Sequence, residues 1–172
     1  MAGVFDGNNV RIFVNGVLSG TSSVTSFFLF QQSCDPVKIG KDEYHEYFAG
    51  SIDEVRIWNR ALSDAEIQGT MNCELGGGQT NLLAYYKFNQ GIDGGNNTET
   101  SLPDNSGNGN TGTLFNFLLN GTTSNWVAPG GVSSGNICLT LNITPDPDST
   151  YSWNDSSLWA GGHVPTANNT VT

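Results

Sequence analysis

The sequence predicts an all-β protein, an antiparallel β-sandwich with one short helix. Charged residues make up only 13% of the 172 residues, against about 25% in an average soluble protein. Gly, Asn, Ser and Thr fill the difference, and these residues favour turns and short strands over helices. Apolar residues also alternate with polar ones in short runs, as expected of strands that are buried on one side.

The clearest strand signal lies near the start of the chain. Val10, Ile12 and Val14 alternate with other residues and therefore point to one face of a strand. Asn15-Gly16 follows at once, and both residues tolerate the positive φ angles of a type I′ turn. This stretch predicts a β-hairpin with Asn15-Gly16 at its tip.

One segment has helix chemistry. Ser63 and Glu66 have the spacing of a capping box, and Leu62 and Ile67 occupy the positions of a hydrophobic staple. Gly69 is expected to end this short helix. Further strands are predicted at Ser26–Gln31, Pro36–Gly40, Ser51–Trp58, Asn81–Phe88, Thr113–Leu119, Asn125–Val127 and Ile137–Ile143. Between them, Gly91–Thr111 has the composition of a long loop.

The charge distribution excludes some partners. The formal net charge is −10, so the field of the protein repels nucleic acid and anionic membranes. From Phe88 onward the sequence has no Lys or Arg, while six carboxylates remain. Such a surface stays solvated or attracts cations such as Ca²⁺. No apolar run is long enough to span a membrane, since Ser26–Phe30 is far too short.

The three cysteines, Cys34, Cys73 and Cys138, have no C-x-x-C spacing, which argues against a zinc site. One disulfide plus one free thiol is a possible arrangement, and three buried thiols are the alternative. If a disulfide forms, the predicted pair is Cys34 with Cys73, closing a loop of about 40 residues.

Two segments resemble a known family. Phe5–Gly16 (FDGNNVRIFVNG) and Phe48–Ser63 (FAGSIDEVRIWNRALS) are similar to the C-terminal half of a laminin G-like, concanavalin A-like jelly roll. Leu82–Phe88 and Asp104–Leu114 (DNSGNGNTGTL) instead resemble the opening of such a domain. In this chain, the segments that resemble the end of the domain therefore come before those that resemble its beginning, and the middle of the domain is missing.

The resemblance suggests three regions. Residues 1–78 correspond to the C-terminal half of a jelly roll. Residues 79–131 either begin a second copy or complete the first sheet as a permuted strand pair. Residues 132–172 are similar, around Tyr151–Asn168, to the start of a β module in large bacterial surface proteins. We expect the chain to be a piece of a longer, secreted or cell-surface, multi-module protein.

The resemblance also raises the possibility of calcium. Relatives of this fold often hold Ca²⁺ with acidic residues near strand ends, and here Asp53, Asp104, Asn108 and Asn110 could supply hard oxygen ligands. The same D-x-S-G-N-G-N run is also typical of a tight turn, in which Asn and Gly serve only the backbone. Both alternatives stay open.

Catalysis is not expected. Glycoside hydrolases need two carboxylates that flank the scissile bond, whereas the adjacent Asp53 and Glu54 point to opposite faces of a strand. The acidic run Asp42–Glu46 is expected to form a solvated loop. The predicted function is a non-catalytic carbohydrate-binding or adhesion module that binds a glycan or an extracellular-matrix-type ligand. The second alternative is a structural spacer, and the third is a glycoside hydrolase of the same fold. The candidate sugar platforms, which are also candidate core residues, are Trp58, Tyr85, Tyr86, Trp126, Trp153 and Trp159.

Overall fold

A computed structural model describes residues 1–24, 36–41, 46–123 and 125–138 of the chain. The elements in chain order are β1 (Ala2–Phe5), β2 (Asn9–Val14), β3 (Val17–Ser23), β4 (Val55–Trp58), α1 (Asp64–Thr70), β5 (Leu82–Tyr86), β6 (Ser101–Leu102) and β7 (Gly112–Thr113). All strand pairs are antiparallel and form three sheets, β1-β2-β3, β4-β5 and β6-β7. The prediction of an all-β fold with one short helix is confirmed for the described residues.

The first sheet contains the predicted hairpin. Asn15 and Gly16 connect β2 to β3 with φ angles of 51° and 74°, as the type I′ turn requires. One face of this sheet is buried, because Val4 and Phe13 pack on Ile67 of α1. The other face carries Ile12, which is 44% exposed. The alternation seen in the sequence is therefore real, but among the described residues the apolar face it marks is open.

The helix α1 begins as predicted. Ser63 Oγ accepts from the Glu66 N–H, and the Glu66 carboxylate accepts from the Ser63 N–H at 2.8 Å, so the capping box is complete. Leu62 packs with Ile67 as the staple predicts. The end was predicted wrongly: the helix continues past Gly69, whose backbone tolerates the helical conformation. It ends at Thr70 with Met71 as its C-cap.

The second sheet contributes to two core clusters. Tyr85 and Leu82 of β5 pack with the cysteines and Leu75. Ala84 and Tyr86 pack with Trp126. The predicted strand that is buried on both faces is thus β5, where Leu83 is the residue left exposed.

The glycine- and asparagine-rich stretch after β5 is ordered by two buried amides. Asn97 accepts from the Ile92 N–H at 2.6 Å and donates to Asn125 Oδ1 at 2.9 Å. Trp126 then packs directly on Gly91, where a Cβ would lie 2.2 Å from the indole Cδ1. This stretch was predicted to be a long loop, but it contains β6 and leads into β7.

The disulfide prediction was wrong. Cys73 is bonded to Cys138, not to Cys34, which lies outside the described residues. The backbone explains the choice, because the Cys138 N–H donates to Glu74 O at 2.6 Å and the Glu74 N–H donates to Asn136 O at 2.7 Å. These two hydrogen bonds lay the segment around Cys138 alongside the segment around Cys73.

Several strand predictions also need correction. Pro36–Gly40 and Asn125–Val127 are not strands, and Thr113–Leu119 contributes only its first residue to β7. Within the described part of the chain, most of these residues have no partner strand with which to form a ladder. Ile137 makes an isolated parallel bridge to Glu74. Ser26–Gln31 and the part of Ile137–Ile143 beyond Cys138 lie outside the described residues.

Candidate ligand-binding cleft and groove

The predicted calcium ligands fall into two separate hydrogen-bond networks. Asp53 Oδ2 accepts from the Val132 N–H at 3.0 Å, and its Oδ1 accepts from the Glu54 N–H at 3.0 Å. Asp53 therefore fastens the chain after Pro129 to the start of β4. None of the hydrogen bonds of Asp53 or of Asp104 joins these two residues to each other.

Asp104 organises a turn beside β5. Its Oδ1 accepts from the N–H groups of Tyr85 and Ser106, and its Oδ2 accepts from the Asn110 N–H at 2.8 Å. Burial raises the pKa of Asp104, but these hydrogen bonds outweigh burial and hold the pKa below its usual value. The amides of Asn108 and Asn110 donate to Leu83 O.

These contacts account for Asp104–Asn110 as a turn, the alternative that the sequence left open. Both oxygens of Asp104 already accept backbone N–H groups, which a cation would have to replace. Among the residues that the structure describes, no group of three or more His, Cys, Asp or Glu is placed to hold a metal ion. Calcium binding by Asp53, Asp104, Asn108 and Asn110 stays a prediction.

A hydrogen-bonded network of charged and polar side chains connects β4 with β5. Arg56 donates to Glu54 Oε2 at 2.6 Å, and both side chains are about nine-tenths buried, with exposures of 12% and 9%. The Tyr85 hydroxyl donates to the same Glu54 oxygen at 2.5 Å and accepts from the Leu75 N–H at 3.1 Å. Burial, then the hydrogen bond to Glu54, raises the pKa of Tyr85 above its ordinary range. The phenol therefore remains a proton donor at neutral pH.

A second buried carboxylate fastens the segment that leads to Cys138. Glu74 is 3% exposed and accepts from Lys87 Nζ, Asn89 Nδ2 and the Gly135 N–H at 2.7, 2.7 and 2.9 Å. Burial works to raise the pKa of Glu74, but these three donors together lower it. Glu74 therefore stays ionised at neutral pH, and both of its oxygens serve the structure.

One cavity is a cleft of about 880 Å³ between β1 and β4, here called the edge cleft. Its walls are Met1–Asp6 on one side and Asp53–Leu62 on the other, and Ile67 of α1 contributes to its lining. Arg56 is among the residues that line this cleft. Its Nε is buried without a hydrogen-bond partner among the described residues.

A shallower groove of about 670 Å³ lies next to it and is here called the Tyr47 groove. Its lining includes Tyr47 and Phe48, which are 62% and 61% exposed, together with Lys41 and Ser51. Lys41 Nζ lies 5.4 Å from the centre of the Tyr47 ring. Neither Tyr47 nor Phe48 is among the residues that the sequence suggested as sugar platforms. Their signal in the sequence is that Tyr47 precedes, and Phe48 begins, the segment Phe48–Ser63 that resembles the family.

Three of the aromatic residues that the sequence suggested as sugar platforms are buried in the core instead. Tyr85, Tyr86 and Trp126 are 1%, 8% and 7% exposed, so they belong to the core. Trp58 is half-buried, and the Arg60 guanidinium lies 5.2 Å from the centre of its ring. Trp153 and Trp159, like Asp42–His45 of the acidic run, lie outside the described residues.

A comparison with known protein families matches the first part of the chain. Residues 1–68 match the laminin G model of the concanavalin A-like lectin/glucanases superfamily. Over these residues the chain is similar to a laminin G-like domain. No curated protein and no solved structure matches the chain.

The laminin G-like part contains β1 to β4 and most of α1. The Tyr47 groove lies wholly within it, and the edge cleft lies within it except for Thr70 and Met71. The match supports a lectin-like, ligand-binding module in general, and laminin G-like domains are typically non-catalytic. No helix within the described ranges has the length and apolar character needed to cross a membrane.

Proposed function

We propose that this chain is a non-catalytic, carbohydrate-binding or adhesive module of a secreted or cell-surface protein, and that it binds its glycan in the Tyr47 groove. The observation that carries the proposal is the exposed ring of Tyr47, which stands in a groove of a lectin-like fold. Aromatic rings of this kind present an apolar face together with a polar tip. Lys41 and Ser51 supply donors at the same place.

The acids near the clefts do not favour hydrolysis. Glu54 is held by Arg56 and Tyr85, and Asp53 is held by backbone N–H groups. A glycosidase needs a pair of carboxylates that are free to face the substrate. A release assay on the glycans that bind should therefore detect no product.

Location outside the cytosol is supported by the bond between Cys73 and Cys138. Structural disulfides persist in oxidising compartments and are rare in the cytosol. The proposal of secretion or surface display rests on this bond and on the family match.

We also infer that residues 79–131 complete the sheet of residues 1–78 and do not begin a second copy. The support is the pairing of β4 with β5, in which Val55 lies opposite Tyr86 and Trp58 lies opposite Leu82. Trp58 of β4 also packs against one core cluster of β5, and Val55 and Ile57 pack against the other.

A glycan array with wild type and two Tyr47 variants tests the proposed site. Tyr47→Ala should abolish binding, whereas Tyr47→Phe keeps the ring and should retain most of it. Phe115→Ala is the matched control, since Phe115 is 84% exposed and lies outside the groove. If wild type binds no glycan, the spacer function is favoured. If Tyr47→Ala binds as wild type does, the site is elsewhere.

A further inference from the structure

We propose that Phe48 is a second sugar platform in the Tyr47 groove, so that the groove binds two consecutive sugar units of an oligosaccharide. This inference rests on the proposed glycan binding and makes it more specific, because it names the class of glycan and a residue that selects for it. The exposure of the Phe48 ring, its contact with Gly50 and the size of the groove support it.

Two consecutive aromatic residues are exposed in one groove. Tyr47 is 62% exposed and Phe48 is 61% exposed, and both line the groove. Exposed apolar surface at a concave site is a feature of ligand-binding grooves. Phe48 has no polar group that water could satisfy, so its exposed ring gains more than the Tyr47 ring from being covered by a ligand. Exposure alone does not single it out, since Phe115 is 84% exposed and lines neither cavity.

The position of the Phe48 ring is fixed by a glycine. A Cβ at position 50 would lie 2.7 Å from Phe48 Cε1 and 2.9 Å from Phe48 Cζ, whereas carbon atoms in contact are about 3.5–4.0 Å apart. Gly50 is not among the residues with a positive φ angle, so its backbone conformation does not call for glycine. The space that the Phe48 ring occupies therefore explains why residue 50 has no side chain.

Short backbone contacts hold the two aromatic residues on one framework. The Phe48 N–H donates to Gly40 O at 3.0 Å, and Tyr47 forms an antiparallel bridge with Lys41. Both residues are thus placed before a glycan binds. A site that is organised in advance has less conformational entropy to lose on binding.

The groove has the volume and the polar groups for two sugar units. Its volume of about 670 Å³ is more than twice the lower end, about 300 Å³, of the usual range for small-molecule sites. Lys41 Nζ lies 5.4 Å from the centre of the Tyr47 ring, and Ser51, which directly follows Gly50, also lines the groove. A sugar ring has an apolar C–H face and a rim of hydroxyl groups, so it needs an aromatic ring and a polar side chain together.

An NMR titration with oligosaccharides of increasing length tests the second platform, because it measures millimolar dissociation constants. The probes are neutral homo-oligosaccharides of glucose, galactose, mannose, xylose and N-acetylglucosamine, each from one to four units long. Phe48→Ala removes the ring, Phe48→Tyr keeps it, and Gly50→Val places a side chain where the ring now lies. Gly20→Val is the matched control for Gly50, because Gly20 lies in β3, has open space and is not part of the groove.

For a sugar that wild type binds, we expect the affinity to rise by about tenfold or more from one unit to two, because the second unit covers apolar area on Phe48. Phe48→Ala should bind one unit as wild type does and lose this gain, and Phe48→Tyr should keep the gain. Gly50→Val should also lose it, although Phe48 is still present, and Gly20→Val should behave like wild type. An unchanged m-value in urea shows that a variant has kept its fold.

The proposal is overturned, with glycan binding in the groove intact, if Tyr47→Ala abolishes binding but Phe48→Ala leaves every dissociation constant unchanged. It is also overturned if wild type binds one unit as tightly as two. Equal weakening of one unit and of two units by Phe48→Ala would place Phe48 in the same subsite as Tyr47 and overturn it as well. If wild type binds none of these oligosaccharides and no glycan on the array, the proposed glycan binding fails and the second platform fails with it.

Discussion

The Tyr85 hydroxyl offers the sharpest test of how the second sheet is held together. Tyr85→Phe removes one bond to the Glu54 carboxylate and one from the Leu75 N–H, at 2.5 and 3.1 Å. A hydrogen bond to a charged group contributes about 1.5–3 kcal/mol and a neutral one about 0.5–1.5 kcal/mol. The substitution should therefore lower the free energy of unfolding by about 2–4 kcal/mol, because the buried Leu75 N–H loses its acceptor and the Glu54 carboxylate keeps Arg56 but loses the phenol.

Tyr86→Phe is the control for this substitution. Tyr86 is on the same strand, and its hydroxyl makes a single neutral bond to Asn110 O at 2.6 Å, so its loss should cost about 1 kcal/mol. Urea unfolding with fluorescence and circular dichroism gives both values, provided that the m-value is unchanged. Equal costs for the two substitutions would refute the argument that the Glu54–Tyr85 bond is a charge-assisted, buried interaction.

Four further outcomes are expected. Reduction of the disulfide opens a loop with a sequence separation of 65 and should lower the free energy of unfolding by about 4 kcal/mol on the loop-entropy estimate. Peptide mapping should find Cys73 joined to Cys138. Thiol titration of the unreduced, unfolded chain should find one free thiol. Glu66→Gln should remove stability that wild type has above pH about 4.5, since Arg60 and then the Ser63 N–H lower the pKa of Glu66 from 4.5 to about 2. This contribution is present above the unfolded pKa and is lost as pH falls toward 2, so urea midpoints of variant and wild type should converge at low pH. If the calcium prediction holds, Ca²⁺ at a hundred times its dissociation constant should stabilise the fold by about 2.7 kcal/mol, with Asp53→Ala removing most of the gain; a melting curve indifferent to calcium and chelator leaves Asp104–Asn110 as a turn. A chain that ends at Gly78 should lose cooperative unfolding, because β4 would lose its partner β5; a cooperative transition would favour the second-copy alternative.

The features that the sequence predicted well are determined by residues close to one another in the chain. The Asn15-Gly16 turn needs only two residues that accept positive φ angles, at 51° and 74°. The start of α1 needs only the exchange of hydrogen bonds between Ser63 and Glu66. The end of α1 was missed because Gly69 permits a C-cap but does not impose one.

The disulfide could not be chosen from spacing. Three cysteines allow three pairings, and the one that forms depends on contacts of Glu74, whose backbone bonds to Asn136 and Cys138. Its side chain also accepts from the Gly135 N–H, 61 residues further along the chain. Nothing in the local sequence around Cys73 points to a partner at that distance.

The ordered structure of the stretch after β5 could not be predicted from its composition for a similar reason. Gly, Asn and Ser are typical of loops, but two of these asparagines are buried and bond to each other across 28 residues, as Asn97 and Asn125. A buried amide that is fully hydrogen-bonded can specify a conformation as firmly as an apolar side chain. Trp126 is then held against Gly91, and the second core cluster depends on that contact.

Arg56 connects the parts of the molecule that the sequence presents separately. Its guanidinium joins β4 to the end of α1 through Thr70 O and to the disulfide through Cys73 O, at 2.6 and 2.5 Å, and it lies 5.4 Å from the centre of the Tyr85 ring. Arg56 thus joins the helix, the disulfide and the second sheet through its two terminal nitrogens, while its buried Nε has no hydrogen-bond partner among the described residues.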